Sequence, residues 1–169
     1  MSQKKADYER LVIPYSADLY RYAFWLCKDP AQSEDLVQET CLRAWKSLDK
    51  LQQRDAPKPW LFTILRNEYT RQFARIRPEI SEIELDSIES KTLANDTSTE
   101  AFVLRQALDM LAVEYREPLL LQVLGGFSCD EIGEICGISK GAAMTRLFRA
   151  KQRMRMLLAP ELESVHDGL

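Results

Sequence analysis

Ser128-Cys129-Asp130-Glu131-Ile132-Gly133-Glu134-Ile135-Cys136-Gly137-Ile138-Ser139-Lys140-Gly141-Ala142-Ala143-Met144-Thr145-Arg146-Leu147-Phe148-Arg149 is the stretch from which the fold class is read. Ser128 and Glu131 have the spacing of a capping box, in which each side chain accepts the free backbone N–H at the other's position, so a helix starts there. Ile132 and Ile135 follow at helical spacing, and Gly137 is suited to the left-handed conformation that ends a helix at little steric cost. Ser139 is placed to cap a second helix. Gly133 weakens the middle of the first helix, so its presence implies that a neighbouring backbone comes close. Two helices crossing steeply over a short turn need that clearance, and the pattern predicts a helix-turn-helix.

On the second helix, Ala143, Leu147, Ala150, Met154 and Leu157 form a narrow apolar stripe expected to face a core. Thr145, Phe148, Arg149 and Gln152 project from the opposite side, flanked by Arg146, Lys151, Arg153 and Arg155, and no acidic residue occurs between Ser139 and Leu158. A DNA major groove admits such a helix, phosphates attract its flanking cations, and an arginine at its centre can pair with a guanine edge through two hydrogen bonds. A basic amphipathic helix is also consistent with plain solvated surface, or with membrane or protein docking. Two caps, a small residue and a turn glycine in this order favour the DNA reader.

With 169 residues, 46% of them apolar, the chain has the size and composition of a globular protein with one ordinary core or two small ones. The net charge of −3 would argue against nucleic acid if it were spread evenly. It is not: between Pro78 and Glu100 lie Glu79, Glu82, Glu84, Asp86, Glu89, Asp96 and Glu100 against Lys91 alone, and local fields, not the total, steer binding. No apolar run is long enough to cross a bilayer and no N-terminal signal pattern is present, so a cytoplasmic protein without membrane insertion is expected. Cys27, Cys41, Cys129 and Cys136 show neither a CxxC spacing nor a nearby histidine, so no metal or cofactor is expected. They read as small hydrophobes in a reducing compartment, with a redox-sensing Cys129 near a helix N-terminus as the alternative. His166, the only histidine, supports no catalytic argument, and no nucleophile–base arrangement is present.

Elsewhere apolar residues recur near every 3.6 positions and the punctuation is helix caps, so the chain is expected to be all-α: two small helical domains, 1–77 and 99–169, joined by an acidic linker, 78–98. The first helix is predicted over Tyr8 to Cys27, kinked or split at Pro14, with Leu19, Tyr22, Ala23 and Leu26 inward. Asp29 and Pro30 open the second, which runs to about Leu48 and buries Val37, Cys41, Ala44, Trp45 and Leu48. After a loop from Asp49 to Ala56, a third helix spans Pro57 to about Ile76. The segment to Ser98 is polar and acidic, with Ile80, Ile83, Leu85 and Ile88 inserted, and reads as a linker without stable structure of its own. Helices near Thr99–Ala112 and Glu117–Leu124 precede the helix-turn-helix.

Three blocks carry a family resemblance. Asp29 to Trp45, containing Asp35-Leu36-Val37-Gln38-Glu39 and Leu42-Arg43-Ala44-Trp45, closely resembles the helix by which bacterial sigma factors grip RNA polymerase. Pro59-Trp60-Leu61-Phe62-Thr63-Ile64-Leu65-Arg66-Asn67 looks like the helix that opens and reads the minus-ten promoter element. Gly141 to Lys151 is similar to the minus-thirty-five reader. They occur in the family's order and cover nearly the whole chain outside the linker and the ends, in the manner of the two-domain extracytoplasmic-function sigma factors.

The resemblance implies an initiation factor, not an enzyme, that docks on core RNA polymerase at the clamp helices of the largest subunit and at the flap, binds promoter DNA, assists its melting, and is held by an anti-sigma factor. Asp35, Gln38, Glu39 and Arg43 would form the polymerase-docking face. Spacing alone favours a solvated face with a Glu39–Arg43 pair worth a few tenths of a kcal/mol, and the resemblance reverses that. Trp60, Arg66, Asn67, Arg71 and Arg75 would meet the minus-ten strand, where extruded bases seek aromatic stacking and the backbone seeks cations. Trp60, Ile64 and Phe73 also fit a core. The loop Lys50 to Lys58 is a candidate pocket for a flipped base. Lys140, Met144, Thr145, Arg146, Phe148, Arg149 and Lys151 would read the minus-thirty-five element. The linker would thread the polymerase's RNA channel or serve as a tether.

The chain departs from the family in two places. Arg71 stands where an aspartate is usual, adding positive charge beside the promoter. Ala142, Ala143 and Met144 replace the commoner Thr-Val-Lys, which removes a cation, weakens phosphate contacts and offers Met144 to a thymine methyl. The competing readings are a dimeric helix-turn-helix repressor or activator with a ligand-sensing N-terminal lobe, and a helical protein adaptor.

Overall fold

The computed structural model describes residues 2–51, 56–76 and 98–166, with backbone alone at 2, 73–76 and 161–166. The linker segment 77–97 with Ile80, Ile83, Leu85 and Ile88 and residues 52–55 of the loop before the third predicted helix lie outside the described residues, as do the side chains of Phe73, Arg75 and His166. All regular structure among the described residues is helical: α1 (Ser2–Leu11), α2 (Ser16–Cys27), α3 (Pro30–Ser47), α4 (Pro57–Ile76), α5 (Thr99–Met110), α6 (Val113–Gly125), α7 (Cys129–Cys136) and α8 (Lys140–His166), with 3-10 turns at Ile13–Tyr15 and Leu48–Lys50. The chain divides into two compact units, Met1–Lys91 with Glu134–Gly137, and Thr92–Gly133 with Ile138–Leu169.

In the first unit α2, α3 and α4 pack on one another around Leu19, Tyr22, Ala23, Leu36, Ala44, Leu61, Phe62 and Leu65, all buried. The Tyr22 and Phe62 rings lie 5.4 Å apart where α2 meets α4. The predicted first helix is split, as Pro14 suggested, but it begins six residues earlier, at Ser2. The N-terminal turn is polar and has no apolar periodicity; distant partners hold it. Lys4 pairs with Asp49 at 3.0 Å and stands over the Trp45 ring, while Tyr8 meets Trp45 edge-on at 5.3 Å.

Asp29 caps α3 as expected, its Oδ1 accepting from the Gln32 N–H at 2.8 Å. The inward face of α3 is turned about one position from the predicted stripe. Ser33, Leu36, Thr40 and Ala44 are buried, whereas Val37, Cys41 and Trp45 are only partly covered. Thr40 can be buried because its hydroxyl donates to the Leu36 carbonyl at 2.7 Å.

In the second unit α8 packs on α6 and α5. The helix expected from Glu117 starts instead at Val113, with Pro118 inside it. Pro118 is the sixth residue of α6, so its missing N–H forgoes the bond to the Glu114 carbonyl, yet the helix continues through it to Gly125. α8 also has a proline inside it, Pro160, and runs on to His166.

Candidate functional site: two polar helix faces

The helix-turn-helix has the local chemistry its sequence implied. Ser128 N–H donates to Glu131 Oε1 at 3.0 Å and Glu131 N–H donates to Ser128 Oγ at 3.3 Å, closing the capping box. Gly137 has φ +67, and a Cβ on Gly133 would lie 2.8 Å from the Ile138 carbonyl oxygen. The Ile138 N–H turns back to donate to the Gly133 carbonyl at 2.9 Å. Ser139 Oγ accepts from Ala142 N–H at 3.1 Å and starts α8.

On α8, Ala143, Leu147, Ala150 and Met154 are buried and Leu157 half-buried, so the opposite face is turned to solvent. Met144, Thr145, Phe148, Arg149 and Lys151 are exposed and Arg146 is half-exposed. Phe148 stands out: a large apolar ring 65% exposed among cations has lost the usual gain of burial and is available to stack on, or wedge against, a ligand. Two other side chains of this region are engaged within the fold. Lys140 pairs with Asp130 at 3.3 Å, and Arg153 lies over the Tyr115 ring at 4.4 Å. Leu104, Leu108, Leu119, Leu120, Val123 and Met154, with Lys151 and Arg155, line an open apolar groove of about 340 Å³.

On α3 of the first unit, Asp35 and Gln38 are exposed and Glu39 and Arg43 half-exposed, away from the buried stripe. Arg43 Nε lies 3.1 Å from Glu39 Oε1, the local pair that spacing suggested. It also contacts Glu68 of α4, which is 3% exposed. Arg71 Nη2 reaches the same Glu68 Oε1 at 2.8 Å. Sequence reasoning passed over Glu68. Its (i, i+3) partner Arg71 was visible in the chain, but the tie to Arg43 crosses between helices. The structure therefore brings Arg43 and Arg71, expected on different interfaces, to one carboxylate, and the extra positive charge expected from Arg71 is partly compensated in place. On the same helix Trp60 and Arg66 are half-buried and Asn67 is exposed. Lys58 is tethered 3.6 Å from Asp18 of α2 and stands over Phe62.

Among the described residues no group of histidine, cysteine and carboxylate side chains could hold a metal, and no helix is long and apolar enough to cross a membrane. The cysteines are free thiols. Burial pushes the Cys27 thiol up to about 11 and raises Cys41 as well, which keeps both protonated and slow to react.

Residues 11–78 match the family model of Sigma-70 region 2, and residues 101–154 match that of Sigma-70, region 4. The chain is 35% identical to the ECF RNA polymerase sigma factor EcfG of Rhodopseudomonas palustris over 83% of its own length and 78% of that protein's. It is 31% identical to the ECF RNA polymerase sigma factor SigL of Mycobacterium tuberculosis over 85% and 84%. Its fold matches the sigma factor RpoE of Bartonella quintana, solved in complex with the anti-sigma factor NepR, with a TM-score of 0.74 and 30% identity, over 90% of this chain and 97% of that one. With both regions matched in order, and with relatives of this identity aligned over most of their length, the chain belongs to the ECF sigma factors of bacterial RNA polymerase.

Proposed function

We propose that this sigma factor selects promoters through three sets of side chains on two domains, residues 1–77 and 99–169, with 78–98 as the acidic linker. Asp35, Gln38, Glu39 and Arg43 on α3 dock on the clamp helices of core RNA polymerase. Trp60, Arg66, Asn67 and Arg71 on α4, together with Arg75, take the minus-ten strand as the duplex melts. Lys140, Met144, Thr145, Arg146, Phe148, Arg149 and Lys151 read the minus-thirty-five element, and the apolar groove of the second unit receives the polymerase flap. The chain is an initiation factor without catalytic chemistry of its own, works in the cytoplasm, and is restrained by an anti-sigma factor. The Bartonella quintana relative bound to NepR supports that last assignment.

The observation that carries this reading is the exposed face of α8 up to Leu158, which has no acidic residue, with Arg149 and Phe148 outward and the apolar stripe buried behind them. Run-off transcription tests it. Core polymerase with this chain should start from a cognate promoter that neither component uses alone. Arg149→Ala should remove roughly 1–3 kcal/mol of discrimination at one minus-thirty-five position while leaving core affinity unchanged. Indifference of promoter choice to that substitution would place the reading face elsewhere.

A further inference from the structure

Two of the surfaces assigned above share a carboxylate that neither exposes. Glu68 projects from α4, its side chain 4% exposed, and its Oε1 is held by Arg43 from α3 and, at 2.8 Å, by Arg71. With Glu39 and Gln72 they line a polar cleft of about 240 Å³. A carboxylate taken out of water this far is strongly disfavoured unless paired, so Glu68 keeps a firm hold on its guanidinium partners. A guanidinium is a rigid plane with five N–H donors. Arg43 has Nε turned toward Glu39 and Glu68. Arg71 turns Nη2 toward Glu68. The two side chains remain 38% and 45% exposed, accessible but fixed.

We propose that Glu68 is a positioning and specificity residue shared by both faces: it pre-orients Arg43 for polymerase docking and withholds Arg71 from indiscriminate phosphate binding. This rests on the assignment of the α3 and α4 faces above. An untethered Arg71 would offer one more cation to any duplex, raising affinity for all sequences alike and steepening the salt dependence by about one phosphate contact. Clamped and half-compensated, it contributes only where a nucleic-acid strand meets its outer edge. Arg43, already immobilised, loses little side-chain freedom on docking.

The test is Glu68→Gln in the full chain, which keeps the size and one acceptor oxygen and removes the charge. Two changes of opposite sign are expected. Affinity for core polymerase should fall roughly tenfold, because Arg43 is no longer fixed. Affinity of the free chain for non-promoter duplex should rise about fivefold, with a log K against log salt slope steeper by up to one. A structural defect would lower both. Adding Arg71→Ala to Glu68→Gln should erase the duplex gain. Arg43→Ala should weaken core binding in the wild-type background but by less than about twofold in the Glu68→Gln background, since the two act through one contact.

Unchanged core affinity or unraised duplex affinity in Glu68→Gln overturns the proposal, as does an equal Arg43→Ala effect in both backgrounds. If Arg43→Ala weakens core binding and Glu68→Gln does not, this inference fails alone. If Arg43→Ala has no effect even in wild type, the docking face fails with it. Should Glu68→Gln not fold, Glu68→Asp decides. With charge kept on a shorter arm, duplex affinity and slope stay as in wild type while core affinity falls, and any other pattern overturns the proposal.

Discussion

At the scale of single residues, Gly133 shows how a tertiary contact writes itself into a sequence. Alanine there would gain helix propensity worth about 1 kcal/mol, yet its Cβ would sit 2.8 Å from the Ile138 carbonyl oxygen, a backbone atom that cannot swing aside. Overpacking against backbone costs about 1–3 kcal/mol, so Gly133→Ala should destabilise the chain by about 1 kcal/mol in urea unfolding and loosen the angle at which α8 is presented. An unchanged midpoint would mean the turn relaxes freely. Cys27 gives a second prediction. Burial holds its thiol protonated up to about pH 11. The unfolded thiol titrates near 9, so between these values the unfolded chain has lost a proton that the folded chain retains. The stability this preference contributes is complete below pH 9 and is lost as pH rises toward 11. Alkylation of Cys27 by iodoacetamide, followed by mass spectrometry, should stay slow at pH 8 and accelerate until about pH 11; a plateau near pH 9 would contradict the burial.

At the scale of elements, what was legible was whatever is encoded between near neighbours. Ser128 with Glu131, Ser139, and Asp29 with Pro30 each declare a helix start through bonds spanning three residues, and each start lies where the sequence places it. Asp29→Ala should therefore cost about 1 kcal/mol of stability and lower the thermal midpoint of the first unit without altering its helix content at 25 °C. α1 was not legible from its start because its polar first turn is held by Asp49 and Trp45, more than forty positions away. The face of α3 was misjudged by about one position for a related reason. Thr40 and Ser33 look like surface residues until their hydroxyls are seen donating to the Leu36 and Asp29 carbonyls, which lets them, and not Val37 and Cys41, turn inward. Glu68 belongs with these misses. An isolated glutamate between Asn67 and Tyr69 reads as solvent-facing, and only the approach of α3 to α4 shows that it is buried beneath Arg43.

At the scale of the whole molecule, the net charge of −3 and the basic face of α8 are reconciled by where the charge lies, with seven acidic residues between Pro78 and Glu100 and none between Ser139 and Leu158. Docking and reading are assigned to different units, so a substitution at one should leave the other's intrinsic chemistry intact. Gln38→Ala with Glu39→Ala tests that separation. Gln38 is exposed, and Glu39 is bound to Arg43, which Glu68 continues to hold when Glu39 is gone, so the fold should survive with unchanged circular dichroism. Truncating two polar anchors at an interface removes about 1–2 kcal/mol, or roughly tenfold in core affinity. Binding of the free chain to minus-thirty-five duplex should be unaffected, because that contact is assigned to α8. Loss of both activities would tie the two units together energetically, whereas full core affinity in the double variant would move the docking face off α3.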